Sequence, residues 1–113
     1  MVEKFFKNSG IKEKIINQIV DIAQKYEVKK VFLFGSRARG DFLRGSDIDL
    51  AVLGGNIGMF RLDVNDYTDT LLTYDVVDLG CDLNKEFLDS VNKEGILIYE
   101  EIWKYVSFRV QSK

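Results

Sequence analysis

The sequence lacks histidine and proline altogether and has a single cysteine, Cys81, among its 113 residues. The absence of histidine excludes serine–histidine–aspartate and cysteine–histidine catalysis, histidine metal sites and histidine-based ribonuclease chemistry. A single cysteine allows no disulfide within the chain, which is typical of a reducing cytoplasm. Any chemistry must therefore come from carboxylates and basic side chains.

Long apolar runs are also missing, because no stretch approaches the roughly 18 residues that a membrane span needs. The first residues contain no apolar core typical of a signal peptide, so we expect a cytoplasmic protein that does not bind membranes. No repeats, low-complexity segments or domain linkers interrupt the sequence. We therefore expect residues 1–113 to form a single domain.

The charges are unevenly distributed along the chain, although the net charge is only −2. Residues 29–45 contain five basic residues against one acidic residue, and residues 46–79 contain seven acidic residues against one basic residue. This order suits an anionic ligand that arrives with a divalent cation, and the low net charge gives no reason to expect direct nucleic-acid binding. Many of these aspartates are equally typical of turns and helix starts.

Residues 34–50 contain the most informative pattern of the sequence. An apolar segment ending at Phe34 runs into Gly35-Ser36, and Asp47 and Asp49 follow after ten intervening residues, within a second apolar run. Because side chains alternate along a strand, the two aspartates point the same way. Two charges this close repel each other unless a cation lies between them or one is protonated. A small polar turn beside paired carboxylates is an arrangement that holds a nucleoside triphosphate with magnesium.

Each half of this pattern also has a purely structural interpretation. Gly35-Ser36 alone is an ordinary turn from a strand to a helix, with the serine as a helix cap. Asp47 and Asp49 alone are two solvated acids on a half-exposed edge strand. Their occurrence together, at this spacing, favours the functional interpretation.

The pattern Gly-Ser, ten residues, Asp-x-Asp resembles the DNA polymerase β-like nucleotidyltransferase superfamily. The fuller form Gly-Ser-Arg-x-x-Gly…Ser-Asp-Ile-Asp-Leu resembles its smallest members, the minimal nucleotidyltransferases that are the antitoxin half of HEPN/MNT modules. The likeness covers roughly residues 10–100. It implies an α/β (α+β) fold, with a small mixed sheet of three to four strands flanked by helices. It also implies ATP as the substrate and two Mg²⁺ ions as cofactors.

The resemblance implies that Asp47 and Asp49 are catalytic ligands of the metal. A third carboxylate, from a neighbouring strand, would complete the set and help to ionise the acceptor hydroxyl. The candidates are Asp75 and Asp78, which are three positions apart and so face opposite ways on a regular strand. The family pattern favours Asp75.

The resemblance also implies a nucleotide-binding loop. Gly35 lets the chain turn close to a phosphate, and Ser36 starts a helix whose free N–H groups bind phosphate oxygens. Arg37 and Arg39 lie on the same loop and are expected to contact the triphosphate. Arg44 is close to the acids in sequence, and at least one of the three arginines is expected to be an ordinary surface residue.

The implied reaction is Mg²⁺-dependent transfer of AMP from ATP to a hydroxyl. Because the chain has room for little beyond a catalytic core, the acceptor must be brought by another copy or another protein. The resemblance implies a tyrosine of a helical HEPN toxin, with the aromatic Trp103, Tyr105 and Phe108 either docking that partner or packing on the core. Two alternatives remain open at this point: a non-catalytic partner that blocks its toxin sterically, and a nucleotidyltransferase acting on a small molecule such as an aminoglycoside.

Hydrophobic spacing and turn residues predict an alternation of helices and strands. The predicted elements are a helix over 11–26 with Ser9 as its N-cap, a strand over 30–34, a helical turn over 36–40, a strand over 48–53, a helix over 63–72, a strand over 74–79, a helix over 84–92 capped by Asp82 or Asn84, and a helical tail over 96–110.

Overall fold

A computed structural model describes residues 7–81 and 84–101 of the chain. Its elements are a 3-10 helix (Lys7–Ser9), α1 (Glu13–Lys25), β1 (Lys30–Phe34), α2 (Gly35–Arg39), β2 (Ile48–Leu53), α3 (Ile57–Asp66), β3 (Tyr74–Asp78), α4 (Lys85–Glu94) and β4 (Ile96–Glu100). Within those two ranges, the longest helix is both too short and too polar to cross a membrane.

The four strands form one mixed sheet in the order β3-β2-β1-β4. β1 is antiparallel to both β2 and β4, whereas β2 and β3 are parallel. The parallel pair needs a crossover, which α3 supplies. The first residues of β2 and β3 therefore lie at the same end of the sheet. This architecture confirms the expected small mixed sheet flanked by helices.

One face of the sheet carries the hydrophobic core. The alternate residues Val31 and Leu33 of β1, and Leu50 and Val52 of β2, are completely buried on this face. They belong to one cluster with the isoleucines of α1 and with buried residues of α3 such as Phe60. Burial of this many branched aliphatic side chains fixes which face of each strand points inward.

The opposite face is covered in part by α4. Phe34 of β1 lies on that face and packs edge to face against Phe87 of α4, with ring centroids 5.4 Å apart. Asp49 is the register partner of Phe34 across the antiparallel pair, so it lies on this second face as well. The predicted acidic site is therefore separated from the aliphatic core by the thickness of the sheet.

The helix predicted over 63–72 is wrong in position, because α3 runs from Ile57 to Asp66. Its N-cap is Asn56, whose Oδ1 accepts a hydrogen bond from the backbone N–H of Met59 at 3.2 Å. The glycines at 54, 55 and 58 are typical of a connecting loop, and they obscure the helical spacing of the buried residues Phe60 and Val64.

Two other boundaries differ at the ends of the chain. The first helix begins at Glu13, and Ser9 does not cap it: its Oγ accepts the N–H of Ile11 instead. At the other end, the helical tail predicted over 96–110 is wrong for 96–100, which form β4 beside β1. A run of β-branched, leucine and tyrosine side chains favours a strand when a partner strand is free.

The remaining predicted elements are confirmed within one or two residues at each end. Asn84 is the N-cap of α4, since its Oδ1 accepts the N–H of Phe87 at 2.7 Å, and Gly95 ends that helix. The aromatic residues Trp103, Tyr105 and Phe108 lie outside the described residues.

We expect Asn56→Ala to lower the free energy of unfolding by about 1 kcal/mol, because it removes the side-chain cap of α3. Urea unfolding of the two proteins measures the difference. The matched control is Asn92→Ala, which changes an exposed asparagine inside α4, where alanine has the higher helix propensity. Equal stabilities of the wild type and Asn56→Ala would mean that α3 does not start at Ile57.

Candidate active site

The ends of two parallel strands bring four polar residues together on one face of the sheet. β2 and β3 pair in register with Asp49 opposite Asp75. Asp47 lies just before β2 and Thr73 just before β3, and the Thr73 hydroxyl donates a hydrogen bond to Asp47 Oδ1. Because strand side chains alternate, these positions form two neighbouring rungs on the same face. One rung pairs an acid with a hydroxyl, and the other pairs two acids.

Burial and the neighbouring acids both act on the carboxyl group of Asp49. Asp49 is half-buried, and burial is the largest cause that raises the pKa of its carboxyl group, followed by the charges of Asp75 and Asp47. Arg37 and Arg39 act in the opposite direction but more weakly. The structure therefore brings Asp47, Asp49 and Asp75 together as the sequence predicts. Their catalytic and metal-binding roles stay predictions.

Asp78, the other candidate for the third acid, lies elsewhere. It pairs with Val52, which points into the aliphatic core, so Asp78 belongs to the face opposite to Asp49. Its Oδ1 accepts the backbone N–H of Gly80 at 2.7 Å. The register of β3 thus places Asp75 beside Asp49, whereas Asp78 stabilises the turn that follows β3.

The donor chemistry of the three acids fits a hard divalent cation such as Mg²⁺, which prefers carboxylate oxygens. Burial is the largest cause of the raised pKa of Asp49, and the charges of Asp75 and Asp47 add to it; a cation between the acids would offset this repulsion. Across residues 7–81 and 84–101, no three acidic or cysteine side chains already lie in position to hold a metal ion. Binding would therefore draw the carboxylates closer together than they lie in this structure.

Gly35 lies directly against Asp49. Its φ is +75°, and a Cβ at this position would overlap the Asp49 carboxylate. Glycine is thus required here by the close approach of an acid as well as by the left-handed backbone. The sequence predicts the turn of Gly35 close to a phosphate, but it gives no sign of the contact with Asp49.

α2 begins immediately at this turn. Its N-cap is Phe34, which makes no capping hydrogen bond through its side chain. Ser36 is half-buried in the first turn, and its carbonyl oxygen accepts the N–H groups of Gly40 and Asp41 at 2.8 and 3.1 Å. The first N–H groups of a helix have no partner within the helix and attract anions. Phosphate binding by Gly35 and Ser36 stays a prediction that this arrangement accommodates.

Arg37 has surroundings that differ from those expected of a loop arginine. It is only 3% exposed. Its Nε and Nη2 both donate to the carbonyl oxygen of Ser46, at 3.1 and 3.0 Å, and its Nη1 donates to the carbonyl oxygen of Ser9 at 2.8 Å. The guanidinium also lies 4.3 Å from the centre of the Phe42 ring. Arg37 therefore ties α2 to the loop that ends at Asp47, and its role as a phosphate ligand stays a prediction.

Arg39 and Arg44 are exposed, in contrast to Arg37. Arg39 forms ion pairs with Asp41 at 3.2 Å and with Glu94 of α4 at 3.5 Å. These contacts leave Arg39 at the edge of the site, where its charge still acts on Asp49. Its binding to a triphosphate is untested.

The acidic stretch over 46–79 does not form one cluster. Asp63 is buried and accepts the Tyr26 hydroxyl at 2.7 Å, and Asp69 pairs with Lys14 at 2.7 Å. Both contacts lie with α1, away from the acidic rungs. The charge pattern therefore overstated the number of acids available to bind a cation.

Thr73 is the site residue that the sequence analysis missed. Its signal was present, since Thr73-x-Asp75 has the same spacing as Asp47-x-Asp49. Only the parallel register of the two strands turns this similarity into a contact.

The family model described as polymerase beta, nucleotidyltransferase matches residues 17–102 of the chain. A protein of Methanocaldococcus jannaschii that is provisionally named a protein adenylyltransferase is 41% identical over 68 residues. That match covers 58% of this chain and 66% of the relative, so it spans just under two thirds of the relative's length.

Solved structures show the same fold at low sequence identity. A chain of a toxin–antitoxin crystal structure with AMP-PNP has a TM-score of 0.60 at 20% identity, covering 86% of this chain and 93% of that one. A chain of the structure of a tri-AMPylated Shewanella oneidensis HEPN toxin in complex with an MNT antitoxin has a TM-score of 0.54 at 20% identity. It covers 86% of this chain and 79% of that one.

We expect Asp49→Asn to stabilise the protein at pH 7 without divalent cations. A carboxyl group whose pKa is raised by folding contributes stability at low pH, and that contribution is lost as the pH rises through the unfolded and then the folded pKa. The uncharged asparagine avoids this loss. Thermal unfolding from pH 7 down to about pH 4 should show the stability difference between Asp49→Asn and the wild type shrinking as the pH falls. The reason is that Asp49 then becomes protonated in both the folded and the unfolded state. Asp21→Asn, at an exposed position of α1, is the matched control.

We expect Arg37→Ala to destabilise the fold by about 3 kcal/mol, because it leaves two carbonyl oxygens without their donors and removes the contact with Phe42. Arg37→Lys should fall in between, since an ammonium group does not reproduce the fork of three donors. The control is Arg39→Ala, which breaks exposed ion pairs and should cost less than about 1 kcal/mol. Urea unfolding compares the three variants, and equal losses for Arg37→Ala and Arg39→Ala would contradict the buried clamp.

Proposed function

The chain belongs to the polymerase beta nucleotidyltransferase family, and from this membership we propose that it transfers AMP from ATP to a hydroxyl of a partner protein. The observation that carries the proposal is the gathering of Asp47, Asp49 and Asp75 on one face of the sheet, beside the Gly35 turn and the start of α2. This is the arrangement of acids and turn that the reaction requires.

The acceptor that we propose is a tyrosine of a helical HEPN-type toxin, which would make the chain an antitoxin that acts by adenylylation. Two comparisons support this choice. The relative from Methanocaldococcus jannaschii is provisionally named a protein adenylyltransferase. Among the structures with the same fold, one is a toxin–antitoxin with AMP-PNP and another contains a tri-AMPylated HEPN toxin.

We assign the binding of one Mg²⁺ ion to Asp47 and Asp49. Asp75 would help to hold a second ion. Divalent cations at this position would neutralise charge on the triphosphate oxygens and lower the pKa of the acceptor hydroxyl. The cross-strand pairing of Asp49 with Asp75 supports the assignment. The pKa of Asp49 is raised by burial first and then by the charges of Asp75 and Asp47, and a cation would offset that repulsion.

The remaining steps are carried out by the chain itself. The N-terminus of α2, starting at Gly35 and Ser36, holds the phosphates through backbone N–H groups. Asp75 is exposed and is therefore accessible to an acceptor. In the proposed reaction it orients the acceptor hydroxyl and takes its proton. A bond forms between the acceptor oxygen and the α-phosphorus, the bond to pyrophosphate breaks, and pyrophosphate leaves. Positioning and charge stabilisation supply most of the rate.

The electrostatics favour a catalytic role over a purely steric one. A protein that only blocks its partner gains nothing from three neighbouring acids, whereas their repulsion, together with burial, disfavours the charged form of Asp49 in the folded state. No contact of the described residues favours a small-molecule acceptor such as an aminoglycoside. Both alternatives are outcomes of the experiment below.

We expect incubation with Mg²⁺ and ATP to add one or more AMP units to a HEPN-type partner protein that is co-expressed with this chain. Intact mass spectrometry of that protein measures the addition, and peptide mapping locates the modified hydroxyl. The double variant Asp47→Ala/Asp49→Ala should give no addition. A tight complex without any mass change would establish a steric binder, and AMP on an added aminoglycoside instead would establish a small-molecule enzyme.

Within the same assay, Asp75→Asn and Asp78→Asn form a matched pair. We expect Asp75→Asn to lower the rate of AMP transfer roughly a hundredfold or more, because it removes the carboxylate beside Asp49. Asp78→Asn should stay within about threefold of the wild type, since Asp78 lies on the opposite face of the sheet. The reverse order of the two rates would assign the third acid to Asp78.

A further inference from the structure

Next to the cross-strand pair of Asp49 and Asp75 lies the pair of Asp47 and Thr73, in which one member carries a neutral hydroxyl. Thr73 occupies the position beside Asp47 that an acid occupies beside Asp49. It is therefore the one member of the four-residue array that donates a hydrogen bond to a carboxylate. Neither the family match nor the proposed reaction gives this residue a task.

The placement of Thr73 depends on the backbone. Its carbonyl oxygen accepts the N–H of Ile48, the residue between Asp47 and Asp49, at 2.9 Å. This bond extends the parallel pairing by one residue beyond β3 and holds Thr73 level with Asp47. A substitution of the side chain leaves the backbone bond in place. The effect of the hydroxyl can thus be separated from the effect of the fold.

We propose that Thr73 is a positioning residue, whose hydroxyl fixes the orientation of the Asp47 carboxylate so that its second oxygen is presented to the divalent cation. The proposal rests on the proposed function, in which Asp47 is a ligand of that cation. The Thr73 hydroxyl donates to Oδ1 of Asp47, and Oδ2 is the oxygen that we assign to the metal. Hydrogen bonds that orient a metal ligand commonly change metal affinity ten- to a hundredfold.

If Thr73 served only to stabilise the fold, its hydrogen bond to Asp47 would have to contribute to the free energy of folding. Thr73 and Asp47 are both exposed, and β3 is an edge strand of the sheet. An exposed hydrogen bond exchanges readily for bonds to water and adds little to stability. The contact therefore does more for the direction of the carboxylate than for the free energy of folding.

The test is the binding of Mn²⁺ to the purified full chain without nucleotide, followed by electron paramagnetic resonance. We expect Thr73→Val, which keeps the shape but loses the hydroxyl, to raise the dissociation constant about tenfold. Thr73→Ser should restore the wild-type value. The matched control is Thr70→Val in the same loop, where Thr70 Oγ1 accepts the N–H of Leu72 at 3.2 Å. It should bind Mn²⁺ as the wild type does.

Two further readouts separate orientation from stability. The urea midpoint of Thr73→Val should equal that of the wild type within the error of measurement. In the AMP-transfer assay the same variant should need about ten times more Mg²⁺ for half-maximal rate and should recover the wild-type rate at saturating Mg²⁺.

The outcomes distinguish the inference from the proposed function. Equal Mn²⁺ affinities of Thr73→Val and the wild type, with binding lost in Asp47→Ala/Asp49→Ala, would overturn the role of Thr73 and leave the proposed function standing. A Thr73→Ser variant as weak as Thr73→Val would also overturn it, because the hydroxyl would then not be the cause. Wild-type binding that is absent, or unchanged in the double aspartate variant, would remove the metal site on which both depend.

Discussion

The parallel pairing of β2 with β3 is the interaction on which the site depends. Asp49 and Asp75 repel each other, so they stay adjacent only because other residues of the same strands hold the register. On the opposite face of β2, Ile48, Leu50 and Val52 are completely buried against the helices. A slip by one residue would bring the acids into the core and the aliphatic residues into water. Hydrophobic burial on one face therefore maintains an electrostatically unfavourable arrangement on the other.

The loop between α2 and β2 is restrained in a second, independent way. Arg37 is held among backbone carbonyls and an aromatic ring, and it fixes the residue just before Asp47. Gly35 provides the space into which the Asp49 carboxylate fits. The short segment between the Gly-Ser turn and the acids is thus supported from both ends. Its ten residues, 37–46, comprise the last three residues of α2 and the turns that lead to Asp47.

The features that depend on neighbouring residues alone could be predicted from local sequence patterns. The spacing of Asp47 and Asp49 follows from strand alternation alone, and so their common direction could be predicted. The choice between Asp75 and Asp78 depended on which strand pairs with which, and the sequence alone supplied only a preference from resemblance. The structure then placed Asp75 beside Asp49 through the register with β2.

The errors have equally specific causes. α3 was missed at its start because glycine near a helix terminus looks like a loop, and the cap by Asn56 is a contact over three residues that composition does not reveal. β4 was read as a helix because a short apolar run fits either period, and only its pairing with β1 decides. The buried Arg37 bonds to the carbonyls of Ser9 and Ser46, and Ser9 lies 28 residues away along the chain.

The shared guanidinium makes the start of the described chain and the site a single mechanical unit. One Arg37 side chain binds the carbonyl of Ser9 in the 3-10 helix and the carbonyl of Ser46 next to the acids. A partner that shifts the 3-10 helix would therefore also move the backbone before Asp47. Thermodynamic linkage makes this coupling reciprocal, so a nucleotide that rigidifies Asp47 would equally change how a partner binds around Ser9.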